Sequence, residues 1–407
     1  MATLAAEAID PFDVSRAELY RDDVWQVPFR TLRAEAPVHY VAHSDYGPFW
    51  SVSTYKGIVE VESLPDLYSS EAGGITIADF QEGRDIKMPM FIARDRPVHT
   101  AQRRSVAPAF TPSEMVRMSS DIRARTAEIL DSLEYGKTFD WVDTVAIELT
   151  TQMLAILFDF PWEDRRKLTF WSDWAGDIEL VKTEELRQQR LVHMFECGGY
   201  FKNLWDAKVG KEPTPDLISM MVHSDAMKDM DFHEMIGNII LLIVGGNDTT
   251  RNSMSALAYG LDLFPQARAM LEGDPSLIPN ATQEILRWQT PLAHMRRTAT
   301  RDTELMGQTI REGDKLALWY ISANRDETVF DDPDTIRVDR SNARRHLAFG
   351  HGIHRCVGAR LAEMQIGILL EEMAKRRMRV NVVGEPERVA ACFVHGYRKL
   401  PVEISKY

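Results

Sequence analysis

Cys356 lies inside Phe349-Gly350-His351-Gly352-Ile353-His354-Arg355-Cys356-Val357-Gly358, a loop rich in glycines and polar donors that runs straight into an amphipathic pattern. Glycines admit positive φ and let backbone N–H groups turn toward one acceptor, and a helix that follows offers the positive end of its dipole. Both effects lower a thiol pKa and favour a thiolate able to ligate a metal. The other cysteines, Cys197 and Cys392, are far away in sequence. The plain alternative is a buried, inert cysteine beside a turn.

Three further clusters carry possible chemistry. Gly245-Gly246-Asn247-Asp248-Thr249-Thr250 sets an acid and a hydroxyl behind two glycines in the middle of a long apolar pattern. Leu241, Val244, Gly245, Asp248 and Thr249 fall at i, i+3, i+4, i+7 and i+8, a single helical stripe. By pattern alone this is either a kinked core helix or a groove approached by something large. Thr249 can bond back toward the loosened turn or donate to a ligand. His99 and Arg103, four apart behind Pro97, share one helix face and can grip carboxylates, or can simply be solvated. Glu284 and Arg287, three apart, would contribute only about 0.2–0.5 kcal/mol as an exposed pair.

The elements that must position these residues are mostly helical. Val38 to Val41 and Phe49 to Val52 read as a hairpin around Ser44-Asp45-Tyr46-Gly47-Pro48. Glu71 to Ile92 has no clear period and reads as a long loop with a short helix, a length that is usually either functional or disordered. Arg117 to about His223 is helical in pattern, punctuated by Pro161 and by Lys211-Glu212-Pro213-Thr214-Pro215, and Trp171, Trp174 and Trp205 read as core rather than pocket. Asp231, with Glu234 as its capping-box partner and Pro265 past the far end, predicts a helix of about thirty residues, long enough to cross the whole domain. Another helix runs from about Asn280 to Trp288, before Pro291, and another from Ala359 to Arg376. The last residues alternate as strands, Met378-Val380-Val382 and Val402-Ile404, with a turn near Phe393 to Gly396.

Composition narrows the class. With 44% hydrophobic and 27% charged residues in 407, and no linker or low-complexity run, residues 1–407 read as one globular domain. An odd cysteine count without framework spacing suits a reducing compartment, and the start of the chain lacks a leader pattern, so a cytoplasmic location is expected. The longest apolar run, Ile239 to Val244, is too short to span a bilayer, and a net charge of −13 argues against nucleic acid and anionic membrane surfaces as partners.

The cysteine loop, Phe-Gly-x-Gly-x-His-x-Cys-x-Gly, resembles the haem-ligand loop of the cytochrome P-450 superfamily at every fixed position. The resemblance extends from about Phe29 to the C-terminus, through motifs in the family's order. It implies a mainly α fold with small β-sheets, the haem lying between a long distal helix and a proximal helix. The cofactor implied is haem b, iron protoporphyrin IX, with the Cys356 thiolate as metal ligand favouring O–O cleavage. Phe349 would shield the sulfur and Gly358 would let the next helix approach the ring. His99 and Arg103 match the family's His-x-x-x-Arg that contacts a propionate. Arg297, beside Arg296 on a β-prone stretch, falls where the family has a further propionate arginine, and His354 is the remaining donor. Gly245 to Thr249 match the distal Gly-Gly-x-Asp-Thr. Glu284 and Arg287 match Glu-x-x-Arg, with Arg340 at the position of its partner in the later meander, a structural triad that fixes the approach to the cysteine loop.

That resemblance implies a monooxygenase: one oxygen atom of O2 leaves as water and the other enters an unactivated C–H bond, with Asp248 and Thr249 as proton couriers. A non-catalytic haem gas-binding protein would not need the acid and the alcohol. Peroxide-driven members of the family typically lose that pair. Gly245 to Met254 and Ala93 to Arg104 resemble the bacterial soluble alkane hydroxylases, which implies terminal oxidation of medium-chain alkanes or fatty acids. Ile75, Leu241, Val244, Gly245, Leu292, Ala293 and Phe393 are the expected substrate wall, equally compatible with a terpene or steroid. Six arginines between Arg337 and Arg360, against Asp339 alone, make a basic face for an acidic ferredoxin with its NAD(P)H-dependent reductase.

Overall fold

Asp231 starts the longest helix, Phe232–Leu263, by accepting the Glu234 N–H at 2.9 Å. The capping box is only half made, because the Glu234 carboxylate instead accepts from Gln102 Nε2 at 2.8 Å. The helix stays α-helical through Gly245 and Gly246 and ends at Phe264, ahead of Pro265. The computed structural model describes residues 10–82 and 84–407.

Around this axis the helices 112–132, 148–158, 166–176 and 184–208 close one apolar core, with Trp171 and Trp205 buried in it and Trp174 packed against it. A second core lies under the later half of the axis and joins it to helices Ile278–Gln289 and Ala359–Lys375. Both helices match the sequence reading to within two residues at either end.

The strands are short, and the largest sheet has five of them. Val38–Val41 and Phe49–Val52 form the expected antiparallel hairpin, and Phe49–Val52 runs parallel to Lys315–Leu318. Met295–Ala299 follows, antiparallel, and then Tyr68–Ser69. Near the C-terminus Met378–Val382 pairs antiparallel with Pro401–Lys406. Among the described residues no helix is long and apolar enough to cross a membrane.

The segment before the His99 helix is the expected long loop, and among its described residues the short helical piece is a single 3₁₀ turn, Phe91–Ala93. It is held from outside. Asn238 Oδ1 accepts the Phe91 N–H at 2.9 Å, and a Cβ at Gly237 would lie 2.1 Å from the Pro89 carbonyl oxygen. Glycine there lets the loop lie directly on the long helix, so the loop is fixed by tertiary contacts that a local pattern cannot reveal.

Candidate functional site

A cavity of about 930 Å³ is bordered by the cysteine loop, the long helix, the segment 71–94 and the turn after helix Ile278–Gln289. Each border has a local cause. The Cys356 N–H donates to the Phe349 carbonyl at 2.8 Å, which folds the loop back on itself and turns the side chain toward the cavity. Helix Ile278–Gln289 ends at Thr290, whose φ of 44° turns the chain sharply. Thr290 Oγ1 donates to the Arg287 carbonyl and accepts from Asn324 Nδ2, each at 2.8 Å, which sustains a conformation that ordinarily costs about 1–3 kcal/mol. The turn delivers Leu292 to the cavity.

Most of the expected residues converge here. Phe349, His354, Cys356 and Gly358 line the cavity from the loop, Leu241, Val244, Gly245 and Thr249 from the long helix, and Ile75, Arg103, Arg297, Leu292 and Phe393 from elsewhere. A Cβ added at Gly245 would meet nothing within 4 Å, so the groove beside Thr249 is open, while at Gly246 it would lie 2.8 Å from Leu154 Cδ2. The glycine pair therefore serves two purposes, an open groove on one side and close helix packing on the other. Thr249 donates to the Gly245 carbonyl at 2.8 Å, the bond back to the preceding turn.

Three expected residues do not line the cavity: His99, which stands behind His354, and Ala293 and Asp248, which lie elsewhere than expected. Ala293 is fully buried in a third apolar core, with Phe29, Trp319 and Cys392, and its N–H donates to the Phe393 carbonyl at 2.8 Å, so it stands behind the wall that Leu292 and Phe393 form. Asp248 belongs to the stripe by spacing, yet its carboxylate turns sideways into the interface with helix Arg166–Gly176. It accepts from Ser172 Oγ at 2.9 Å and Asn247 Nδ2 at 3.0 Å and pairs with Arg251 at 3.2 Å. Burial raises its pKa against the pull of Arg251. The cause is the set of polar partners on its own and the neighbouring helix, which compete successfully with an apolar cavity.

The electrostatics of the loop also differ from the simple expectation of a lowered thiol pKa. Burial raises the Cys356 thiol, and the Gly358 N–H, Arg103 and Arg355 offset it only in part. Deprotonation of such a thiol is favoured by a bound cation, which is how a metal-ligating cysteine behaves.

Next to it the cavity rim is cationic and under-satisfied. His99 and His354 have ring centroids 4.2 Å apart. Both ring nitrogens of His99 and Nδ1 of His354 are buried without a hydrogen-bond partner among the described residues. Burial, followed by neighbouring arginines, lowers His99 to about 4 and His354 to about 2. Arg103 donates to the Arg355 carbonyl, and Arg297 Nη2 pairs with Glu62 at 2.9 Å. Arg296 points the other way, to Asp79 at 2.6 Å, and its N–H holds the Ile75 carbonyl at 2.8 Å, so it braces the loop that carries Ile75.

Orphaned donors, two arginines, an apolar slot and a thiol on one wall fit a flat apolar macrocycle that carries carboxylates and a metal. Cys356 would hold the metal, and His99, Arg103, Arg297 and His354 the carboxylates. Gly358 has only ordinary contacts with Phe110, from 3.7 Å, so the protein alone does not demand glycine there.

The Glu284 triad forms as expected and is completely buried. Glu284 accepts from Arg287 Nε at 2.7 Å and Arg340 Nε at 2.9 Å, while Arg287 also donates to the carbonyls of Asn324, Pro333 and Thr335. Sequence reasoning missed Glu62, Tyr320, Ser172 and Arg251. Glu62, Tyr320 and Ser172 act through partners distant in sequence, and no local spacing marks them; Arg251 stands three residues after Asp248 on the same helix, a spacing that could have found it.

The family model described as Cytochrome P450 matches residues 276–377, which include the triad helix and the cysteine loop. The chain is 79% identical to the solved structure of CYP153D17 from Sphingomonas sp. PAMC 26605, covering 98% of this chain and 100% of that one with a TM-score of 0.94. It is 35% identical to linalool 8-monooxygenase of Pseudomonas putida, over 96% of this chain and 98% of that protein. It is 33% identical to a methyl-branched lipid omega-hydroxylase of Mycobacterium tuberculosis, over 94% of this chain and 91% of that protein.

Proposed function

The chain belongs to the cytochrome P450 family and is a monooxygenase that uses haem, dioxygen, an organic substrate and redox partners; we propose that it hydroxylates the terminal methyl group of a medium-chain alkane or fatty acid, with electrons from a ferredoxin. The observation that carries this reading is the cavity itself: one continuous space reaches Cys356 and Thr249 and is walled by Leu241, Val244, Leu292 and Phe393. A relative named as a lipid omega-hydroxylase supports it.

The residues would act as follows. Cys356 ligates the iron of haem b, and its loop, closed by the bond from the Cys356 N–H to the Phe349 carbonyl, holds the sulfur in place. His99, Arg103, Arg297 and His354 bind the propionates. What the haem supplies when bound is the reductive activation of dioxygen, one atom leaving as water and one entering the C–H bond. The aliphatic side chains exclude water and orient an apolar chain end. Thr249 presents a hydroxyl to the groove, and Asp248 behind it, with Arg251 and Ser172, holds a proton source that reaches the groove by rotation of its side chain or through ordered water. Glu284, Arg287 and Arg340 keep the approach to the cysteine loop rigid. The exposed arginines Arg344, Arg345, Arg355 and Arg360 form the docking face for an acidic carrier.

A terpene substrate is the second reading, favoured by the relative named linalool 8-monooxygenase. Titration of the ferric protein with linear alkanes, fatty acids and a terpene, followed by the spin-state shift, separates the two. Tighter binding of the linear chains is expected, and a clear preference for the terpene would overturn the first reading.

A further inference from the structure

Glu62 is the last residue of helix Tyr55–Glu62 and its side chain is 1% exposed. All of its contacts lie on the cofactor side of the cavity. Oε1 accepts from Arg297 Nη2 at 2.9 Å and from Tyr320 Oη at 2.6 Å, and Oε2 accepts from the His351 N–H at 2.8 Å. The loop before Cys356 also turns on Glu62. Gly350 and Gly352 have φ of 67° and 65°, and a Cβ at Gly352 would lie 2.2 Å from the Glu62 carbonyl oxygen. One residue thus touches both the rim arginine and the backbone that leads to the cysteine.

A buried carboxylate is expensive to keep, and an apolar replacement of an entire ion pair is often neutral or stabilising. Packing alone therefore gives little reason for an acid here. Arg297 already spends Nη1 on the Arg296 carbonyl at 2.8 Å, so its pairing with Glu62 fixes the guanidinium plane. A planar donor whose orientation is set in advance binds a carboxylate with less loss of freedom. Among the described residues Glu62 is the only carboxylate that contacts His99, Arg103, Arg297 or His354, so it offsets one of the two rim cations.

We propose that Glu62 is a positioning residue for the haem side of the cavity: its carboxylate orients Arg297 toward a propionate and anchors the turn that carries Cys356. The proposal rests on the reading of Arg297 as a propionate partner, deepens it, and assigns two consequences to one side chain. Its negative charge tunes the reduction potential, and its reach sets haem retention.

The test compares Glu62→Gln, Tyr320→Phe and Arg297→Gln by reduction potential, by the rate of haem transfer to excess apomyoglobin and by thermal unfolding. Glutamine cannot accept from all three donors, and it removes the charge. Glu62→Gln is expected to raise the potential and to release haem about tenfold faster or more. Tyr320→Phe deletes one hydrogen bond and keeps the charge, so it is expected to lower the unfolding temperature and leave the potential in place. In an Arg297→Gln background the effect of Glu62→Gln on haem release should shrink. If Glu62→Gln lowers stability without moving either the potential or the release rate, Glu62 is only a structural brace and the proposal is overturned. If Arg297→Gln alone leaves the release rate unchanged, the propionate reading of Arg297 fails first and takes this inference with it. Should the glutamine variant not accumulate, Glu62→Asp withdraws the charge by one methylene, and faster haem release at an unchanged potential is then expected; a release rate equal to that of the parent overturns the proposal.

Discussion

The Asp248 carboxylate lies 3.2 Å from the Arg251 guanidinium, a contact that turns it out of the cavity that its neighbour Thr249 lines. Two adjacent residues of one helix thus face different surroundings, one a ligand space and the other a buried polar interface. Their substitutions should have different consequences.

With Thr249→Ala, oxygen should still be consumed while product falls and hydrogen peroxide appears, because the hydroxyl in the groove is lost but the supply behind it is not. With Asp248→Asn, oxygen uptake and product formation should slow together. Delivery of a proton by a positioned group contributes about 10²–10⁴-fold, so either effect is measurable as product and peroxide formed per NAD(P)H consumed. Unchanged coupling and rate in both variants would leave the pair a structural feature of the helix only.

Glu284→Gln should destabilise the fold by about 3–5 kcal/mol, since it leaves Arg287 and Arg340 buried with no carboxylate between them. Urea unfolding of the variant and its parent measures this. A loss under about 1 kcal/mol, the range of an exposed pair, would show that the carbonyls of Asn324, Pro333 and Thr335 suffice to satisfy Arg287.

The sequence makes the parts of the site legible to very different degrees. The cysteine loop reads clearly because its glycines and donors are contiguous, and helix periods bring out Glu284–Arg287 and the stripe from Leu241 to Thr249. Periodicity assigns a residue to a helix face but not to a depth, so it cannot separate Leu292, at the cavity, from Ala293, behind it. The i,i+3 spacing of Asp248 and Arg251 is legible, but that Ser172 on a neighbouring helix joins them in drawing the carboxylate sideways is not. Glu62 is 235 positions from Arg297 and nothing local connects them. The segment from Glu71 to Ile92 shows the same limit: Pro89 and Phe91 lie on Gly237 and Asn238, and Arg296 holds Ile75, all partners far along the chain that no local pattern reveals.

Reduction by an acidic ferredoxin should slow as salt rises, since exposed charges are screened over about 10 Å at 0.1 M ionic strength. Arg344, Arg345, Arg355 and Arg360 are exposed, whereas Arg340 is buried in the triad and Arg337 is paired with Asp331 at 3.2 Å. Charge reversal at Arg344 and Arg345 should therefore weaken the reaction most. A rate independent of salt, or full turnover in the doubly reversed variant, would place the docking face elsewhere.

Product analysis on linear alkanes from octane to dodecane should give mainly the terminal alcohols. Leu241, Val244 and Leu292 line the cavity with Thr249, and under the terminal reading their aliphatic side chains would admit a chain end rather than a chain middle. Predominantly internal alcohols would contradict the terminal reading and leave the monooxygenase assignment intact.

Ligation of the haem iron by the Cys356 thiolate is tested most directly by the absorption spectrum of the reduced, carbon monoxide-bound protein. The parent protein should show the red-shifted Soret band of a thiolate-ligated haem, and Cys356→Ala should lose that band even where haem is retained. A Cys356→Ala protein that kept the band would contradict the assignment.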